Sequence, residues 1–105
     1  MRQGDLILVP FPFTDLSGSK IRPAVVLMNT SLDLTLAFIS TQLHWQEPTD
    51  ISLSPNNHNG LKKPSLVRLS KLATIDLALL KGRLGELSAE ELQQTHQNLR
   101  ILLQL

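Results

Sequence analysis

The sequence predicts a small, mainly β barrel with one α-helix at its C-terminal end. Several short apolar runs rich in Val, Ile and Leu are separated by clusters of Pro, Asn, Ser and Gly, which is typical of β-strands joined by turns. After residue 88, in contrast, leucines recur at helical spacing behind a capping sequence. A chain of 105 residues can bury about two thirds of its unfolded surface around one core, so we expect a single domain over residues 1–105.

Composition restricts the class of protein. Hydrophobic residues make up 42% of the chain and charged residues 18%, which indicates a folded domain and not a disordered segment. Cysteine is absent, so disulfides and thiol chemistry are excluded. The N-terminus has no apolar signal core, and no apolar run reaches membrane-spanning length. We therefore expect a cytoplasmic protein without membrane association.

Sequence motifs for cofactor chemistry are missing. The three histidines are far apart, and no metal-ligand spacing, Gly-rich phosphate loop or G-x-S-x-G nucleophile motif occurs. We therefore expect neither a bound metal nor an organic cofactor.

The first two predicted strands, Asp5–Phe11 and Lys20–Met28, form an antiparallel hairpin. Both alternating sets of positions in the first strand are apolar, so we expect it to be buried on two sides, as in a small barrel. Pro10, Pro12 and the polar residues 14–19 end this strand and predict a long, polar loop.

Arg22 is the first candidate site residue. It precedes Pro23, so its backbone is restricted to an extended conformation at the entry to the apolar run Val25–Leu27. A guanidinium fixed in this way offers a planar fork of donors that suits a phosphate. A solvated charge at a strand end is the alternative and, for this residue taken alone, the simpler interpretation.

The next predicted strand, Leu34–Ser40, ends in a polar stretch. Ser40, Thr41 and Gln42 carry hydroxyl and amide groups that suit either a turn cap or a phosphate contact, and turn caps are the commoner case. The only tryptophan, Trp45, follows in a loop. There it would either stack on an unpaired base or pack over one end of the barrel.

Two further strands are predicted, at Asp50–Leu53 and within Gly60–Leu69. From residue 62 to residue 83 the chain has six basic residues and one acid. This local excess of positive charge favours a partner with phosphate groups, although separate solvated charges would give the same pattern.

The predicted helix runs from Ala89 to Leu103. Ser88 and Glu91 form a capping box at its start, with Leu87 and Leu92 at the hydrophobic-staple positions. We expect the helix to lie on the barrel through a face that consists of Leu92, His96, Leu99, Leu102 and Leu103.

A resemblance to a known family rests on four stretches that are spread over nearly the whole chain. They are Gly4–Phe11, Arg22–Leu27, Ile39–Gln42 and Leu84–Ser88. Together they resemble the MazF/PemK family of toxin endoribonucleases of type II toxin–antitoxin systems. The resemblance implies an SH3-like barrel of the MazF/PemK/CcdB type, closed by the C-terminal helix. It also implies a homodimer, metal-independent and sequence-specific cleavage of single-stranded RNA (mRNA), and a cognate antitoxin protein as partner.

By this resemblance, Arg22 matches the family's catalytic arginine and Ser40 its catalytic hydroxyl. The RNA 2′-hydroxyl would attack phosphorus and leave 2′,3′-cyclic phosphate and 5′-hydroxyl ends, with Ser40 holding the phosphate. The general base is not assigned, and Asp15 is a candidate. The RNA-binding residues that we expect are Asp15, Ser17, Lys20, Thr41, Gln42, Lys62 and Lys63.

Two alternatives come from other functional classes. One is a non-catalytic SH3-like binding module for nucleic acid or an antitoxin-like peptide. The other, a gyrase-poisoning toxin on the related barrel, is weaker because that activity relies on a C-terminal aromatic residue, whereas this chain ends in Leu102–Leu105.

Overall fold

The structure, a computed structural model, describes residues 1–11 and 20–105. In this part of the chain six strands precede one C-terminal helix. The strands are β1 (Asp5–Phe11), β2 (Lys20–Asn29), β3 (Asp33–Ser40), β4 (Ile51–Leu53), β5 (Ser65–Asp76) and β6 (Gly82–Glu86), and the helix is α1 (Ala89–Leu103). The predicted fold class, mainly β with a C-terminal helix, is confirmed.

The six strands form one antiparallel sheet in the order β4-β5-β3-β2-β1-β6. The predicted hairpin of β1 and β2 is present, with Leu6 opposite Val25. Shifts of register interrupt the pairing of β1 with β6, of β2 with β3, and of β3 with β5. Such bulges bend strands and increase their twist, and the sheet here curls into a half-barrel.

The segment that follows the edge strand β4 is hydrogen-bonded to the other edge strand, β6. His58, in the segment after β4, accepts a hydrogen bond at 2.8 Å through its carbonyl oxygen from the amide of Glu86 in β6. Gly85 permits this approach, because a Cβ at that position would lie 2.0 Å from the same carbonyl oxygen. The seam between the edges is therefore backbone against backbone, and only glycine fits there.

The strands β1, β2 and β3 bury apolar side chains on both faces, as predicted for the first strand. On one face Leu6 and Val25 belong to a cluster against which leucines of α1 pack. On the other face Ile7 and Val26 belong to a second cluster, against which leucines of residues 77–80 pack. Burial of each such side chain contributes about 1.5–3 kcal/mol to the stability of the fold. Because these strands are buried on both faces, they hold the residues at their ends in fixed positions.

Two parts of the sheet were not predicted. The sequence Gly82–Glu86 of β6 has two glycines and two charged residues and lacks apolar alternation, which is tolerable at a sheet edge. The strand β5 continues to Asp76, well past the predicted end at Leu69, because its second half pairs with β3. Both elements are held by pairing with distant strands, and local propensity does not reveal such pairing.

The bounds and the cap of α1 agree with the prediction. The Ser88 hydroxyl accepts a hydrogen bond from the amide of Glu91 at 3.0 Å, and the carboxylate of Glu91 accepts one from the amide of Ser88 at 2.8 Å. Leu92, Leu99 and Leu102 pack against the first cluster, as expected.

The rest of the predicted helix face was wrong. Thr95 and Asn98 are buried, whereas His96 is exposed and contacts Gln3 at 2.9 Å, and Leu103 is 53% exposed. The buried polar groups find partners: the Thr95 hydroxyl donates to the carbonyl of its own helix one turn back, and the Asn98 amide donates to a loop carbonyl. Hydropathy periodicity misses a face whose polar residues are satisfied in this way.

Within the described residues, no helix is both long enough and apolar enough to span a membrane.

Candidate active site

A cavity of about 470 Å³ opens at the end of the sheet where β2 begins and β3 ends. One part of its wall comes from the ends of these two strands, and another part comes from β5 and from the 3₁₀ turn Leu43–Trp45 that follows β3. A volume of this order is typical of sites that bind small molecules.

Arg22 and Ser40 line this cavity together. Across β2 and β3, Ala24 pairs with Phe38. Arg22 and Ser40 each lie two residues further toward the cavity end of these strands. Side chains two residues apart project from the same face of a strand, so the register of this strand pair brings the guanidinium and the hydroxyl to one surface.

Arg22 is exposed, and no ion pair joins it to any residue in 1–11 or 20–105. Its neighbour Pro23 is half-buried and also lines the cavity, and its ring fixes the backbone next to the arginine. With respect to the described residues, the donor fork of Arg22 is therefore open to an external anion.

The Ser40 hydroxyl caps a turn. Its oxygen accepts a hydrogen bond from the amide of Gln42 at 3.0 Å, which is the capping arrangement that the sequence had left open. A hydroxyl has one donor as well as acceptor capacity, so the hydrogen of Ser40 can still point toward a ligand in the cavity. Thr41 and Gln42 line the cavity beside it.

Two basic residues of β5, Arg68 and Lys71, also line the cavity. In the pairing with β3, Phe38 lies opposite Arg68 but Ala37 lies opposite Leu72, so an irregularity of β5 falls between them. A bulge turns side chains away from strict alternation, and it explains how Lys71 faces the cavity together with Arg68.

Arg68 forms ion pairs with two carboxylates of the protein itself. Its guanidinium contacts Glu47 at 2.7 Å and, through Nε, Asp50 at 3.0 Å, although the Nε contact lacks the angle of a hydrogen bond. Hydrogen bonds from Arg68 and Ser70 lower the pKa of Glu47 below its ordinary value. Arg68 therefore fastens the segment after the 3₁₀ turn to β5.

Further hydrogen bonds hold the same segment. The carboxylate of Asp50 accepts from the amide of Glu47 at 2.9 Å, and Asn98 of α1 donates to the carbonyl of Thr49 at 2.9 Å. Trp45 comes directly before this anchored segment and is 60% exposed while lining the cavity. Of the two alternatives for Trp45, packing over a barrel end does not fit, since most of its surface is open to solvent.

The rest of the described cavity wall is partly apolar and contains no acidic side chain. Phe11 and Phe38 meet edge to face, with ring centroids 5.2 Å apart. The described lining includes Arg22, Arg68 and Lys71 and has no Asp or Glu. Arg68 is paired with the carboxylates of Glu47 and Asp50, and Lys71 also interacts electrostatically with Glu47, so Arg22 is the lining cation without an ionic partner among the described residues.

The predicted site residues divide into three groups. Four of them, Arg22, Ser40, Thr41 and Gln42, line the cavity. The expected RNA contacts Lys20, Lys62 and Lys63 are exposed but do not line it. The other two, Asp15 and Ser17, lie outside the described residues.

The sequence did not single out Arg68 and Lys71 as site residues. Both belong to the basic region of residues 62–83, which was the only signal for them. Within 1–11 and 20–105, no group of three or more His, Cys, Asp or Glu side chains is arranged to hold a metal ion.

Comparison with protein families gives one match that extends over nearly the whole chain. A model of the family described as PemK-like, MazF-like toxin of type II toxin–antitoxin systems matches residues 2–103. No curated protein sequence is significantly similar to the chain.

Several solved structures have the same fold. The toxin MazF-mt6 of Mycobacterium tuberculosis matches with a TM-score of 0.79 at 21% identity, covering 96% of this chain and 97% of the toxin. An endoribonuclease from a mycobacterial species, in complex with its cognate antitoxin, matches with a TM-score of 0.75 at 18% identity, covering 100% and 94%. An Mtb toxin matches with a TM-score of 0.65 at 24% identity, covering 73% and 87%. The curled sheet with its C-terminal helix is thus the fold of these toxins.

Proposed function

The chain belongs to the PemK-like, MazF-like toxin family of type II toxin–antitoxin systems, and on that premise we propose that it is a metal-independent, sequence-specific endoribonuclease for single-stranded RNA. The observation that carries the proposal is that Arg22 and Ser40 line one cavity whose described lining is basic and has no carboxylate. Such a surface suits a phosphodiester.

In the proposed reaction, the 2′-oxygen of one nucleotide attacks the adjacent phosphorus, and the bond from phosphorus to the 5′-oxygen of the next nucleotide breaks. The 2′-hydroxyl loses its proton to a base, and the departing 5′-oxygen gains a proton. The products carry a 2′,3′-cyclic phosphate and a 5′-hydroxyl. Negative charge accumulates on the non-bridging oxygens during the attack, and this charge is what the protein has to stabilise.

Arg22 would donate to those oxygens through its planar fork. The Ser40 hydroxyl, whose oxygen accepts from the amide of Gln42, would donate its own hydrogen to the same phosphate. Lys71 adds a second cation at the wall, and it would hold a flanking phosphate. Lys20, Lys62 and Lys63, which do not line the cavity, would contact RNA beyond it.

The general base is not among the described residues that line the cavity, since none of these carries a carboxylate or an imidazole. Asp15, which lies outside the described residues, is the candidate. An aspartate is a weak base near neutral pH unless its surroundings raise its pKa.

We also propose a homodimer that a cognate antitoxin binds, in the cytoplasm where messenger RNA is found. One structural neighbour is an endoribonuclease in complex with its cognate antitoxin. Exposed apolar side chains outside the cavity, including Met28 and Leu32, are available to an interface with a second copy. Sedimentation at micromolar concentration tests the dimer, and a monomer would contradict it.

The nuclease is tested by incubating the protein with a long RNA in the presence of EDTA. We expect cuts with 2′,3′-cyclic phosphate ends, and we expect Arg22→Ala to slow cleavage about 10²- to 10³-fold, the effect of removing one donor to a transition-state oxyanion. Ser40→Ala should slow it about tenfold, because one hydrogen bond to a charged group is lost. Arg100→Ala, which removes an exposed arginine outside the cavity, is the matched control and should cut like the wild type.

A non-catalytic binding module is the second candidate function. The lack of a carboxylate or an imidazole among the described lining residues favours it, because these are the usual general bases. RNA or peptide binding that depends on Arg22, without any cleavage under the same conditions, would establish this function in place of the nuclease.

A further inference from the structure

Trp45 is the only tryptophan of the chain, and it exposes 60% of its surface at the edge of the cavity. Indole is the largest side chain available for contact with a flat aromatic ligand. Its exposure leaves apolar area that a ligand can cover, and covering it is favourable at about 25 cal/mol per Å².

The 3₁₀ turn brings a second functional group to the same side as the indole. The amide of Trp45 donates to the carbonyl of Gln42 at 3.2 Å, which closes the turn. Side chains three residues apart in a 3₁₀ turn lie one above the other. Accordingly Gln42 and Trp45 both line the cavity, whereas the intervening Leu43 and His44 do not. The ring of His44 meets the indole at an angle of 63°, with centroids 5.0 Å apart.

The position of this turn is fixed before any ligand arrives. The segment after the turn is held by hydrogen bonds. The Glu47 carboxylate accepts from Arg68 and Ser70, and the Asn98 side chain donates to the carbonyl of Thr49. A platform that is already ordered loses little conformational entropy on binding, which favours affinity.

The neighbours of the indole indicate what it binds. Arg22 and Lys71 line the same cavity, and the described lining has no carboxylate. An aromatic platform beside cations that track a phosphate backbone is the combination found in sites for single-stranded nucleic acid. The side-chain amide of Gln42 adds a donor and an acceptor that suit the edge of a base.

We propose that Trp45 and Gln42 form a base subsite, in which one unpaired RNA base stacks on the indole next to the phosphate at Arg22 and Ser40. This inference rests on the proposed function, because it takes single-stranded RNA as the ligand. In this subsite Trp45 increases the affinity for the substrate by stacking, and Gln42 forms hydrogen bonds with the edge of the stacked base.

The fluorescence of Trp45 allows a direct test, since all tryptophan emission of the protein comes from this residue. The probe is a mixed-sequence RNA oligonucleotide with 2′-O-methyl groups, which lacks the attacking hydroxyl and therefore stays intact. A matched oligonucleotide of the same length without bases supplies the phosphates alone. We expect the first to quench the emission and the second to leave it unchanged.

Variants separate stacking from other contacts. Trp45→Ala should weaken binding of the base-containing oligonucleotide about 5- to 150-fold, measured by anisotropy of a labelled probe. Trp45→Phe should retain part of this affinity because a smaller aromatic ring is kept. Leu43→Ala changes an exposed residue of the same turn that does not line the cavity, and it should bind within about twofold of the wild type, within the small effect expected of such surface changes.

Cleavage of a long RNA by the wild type, measured in parallel, keeps this inference distinct from the proposed function. Cleavage together with binding that neither quenches Trp45 nor depends on it would overturn the subsite and leave the nuclease intact. Quenching and Trp45-dependent binding without cleavage would support the subsite while the nuclease fails. Quenching by an acidic peptide but not by RNA, or no binding of RNA at all, would overturn the subsite.

Discussion

Two arginines face the same cavity, and their surroundings differ completely. Arg22 stands on the exposed end of β2 without an ion pair among the described residues. Arg68 lies within β5, is 9% exposed, and contacts the carboxylates of Glu47 and Asp50. One guanidinium is therefore available to a ligand, whereas the other holds the protein together. The partners of a charged side chain, and not its type or its distance from a cavity, decide which of these roles it has.

The largest effect that this comparison predicts concerns Arg68. Arg68→Ala should lower the free energy of unfolding by about 3–5 kcal/mol, because Asp50, whose side chain is fully buried, would lose its cation. Urea denaturation followed by circular dichroism measures this change. Arg22→Ala should stay within about 0.5 kcal/mol of the wild type in the same experiment. Equal stability of the two variants would contradict the distinction between them.

The next effect concerns the geometry of Arg22. Arg22→Lys keeps the charge but replaces a planar fork by a point charge, so RNA cleavage should fall about 100-fold. The midpoint of thermal unfolding should not change. Near-normal cleavage by Arg22→Lys would mean that positive charge alone suffices at this position.

The smallest effect concerns the pH dependence of the anchor around Arg68. The pKa of Glu47 is lowered by its hydrogen bonds to Arg68 and Ser70, so the carboxylate stabilises the fold above its ordinary pKa of 4.5. This contribution is lost as the pH falls through the lowered value. The wild type should therefore lose more stability on acidification below pH 4.5 than Glu47→Gln does. Parallel curves of stability against pH would exclude this role, and the effect is small because Glu47 is 48% exposed.

The features that the sequence predicted correctly are those that depend on neighbours along the chain. The ends of β1 and α1 follow from apolar runs and from the Ser88–Glu91 capping box, both of which are local. The sequence also placed Arg22 and Ser40 at the ends of predicted strands, where both line one cavity, while their catalytic role stays a prediction.

The features that the sequence missed depend on contacts between distant segments. Lys71 faces the cavity because of an irregularity in the pairing of β5 with β3, and Arg68 is neutralised by a loop some twenty residues away. Asn98 is buried on α1 because a carbonyl at Thr49 meets it. Polarity and periodicity carry no information about such partners. The sequence therefore could not distinguish the basic residues of region 62–83 that face the cavity from those that do not.

The glycine at the seam of the half-barrel affects how loss-of-function variants of this protein are to be interpreted. At Gly85 the obstacle to any side chain is the peptide backbone of residues 58 and 59, and no change of rotamer relieves it. A mutational scan scored by activity would therefore rank position 85 with Arg22, although Gly85 acts through the architecture and Arg22 through the chemistry proposed for it. Comparing the amount of soluble protein for each variant tells the two apart.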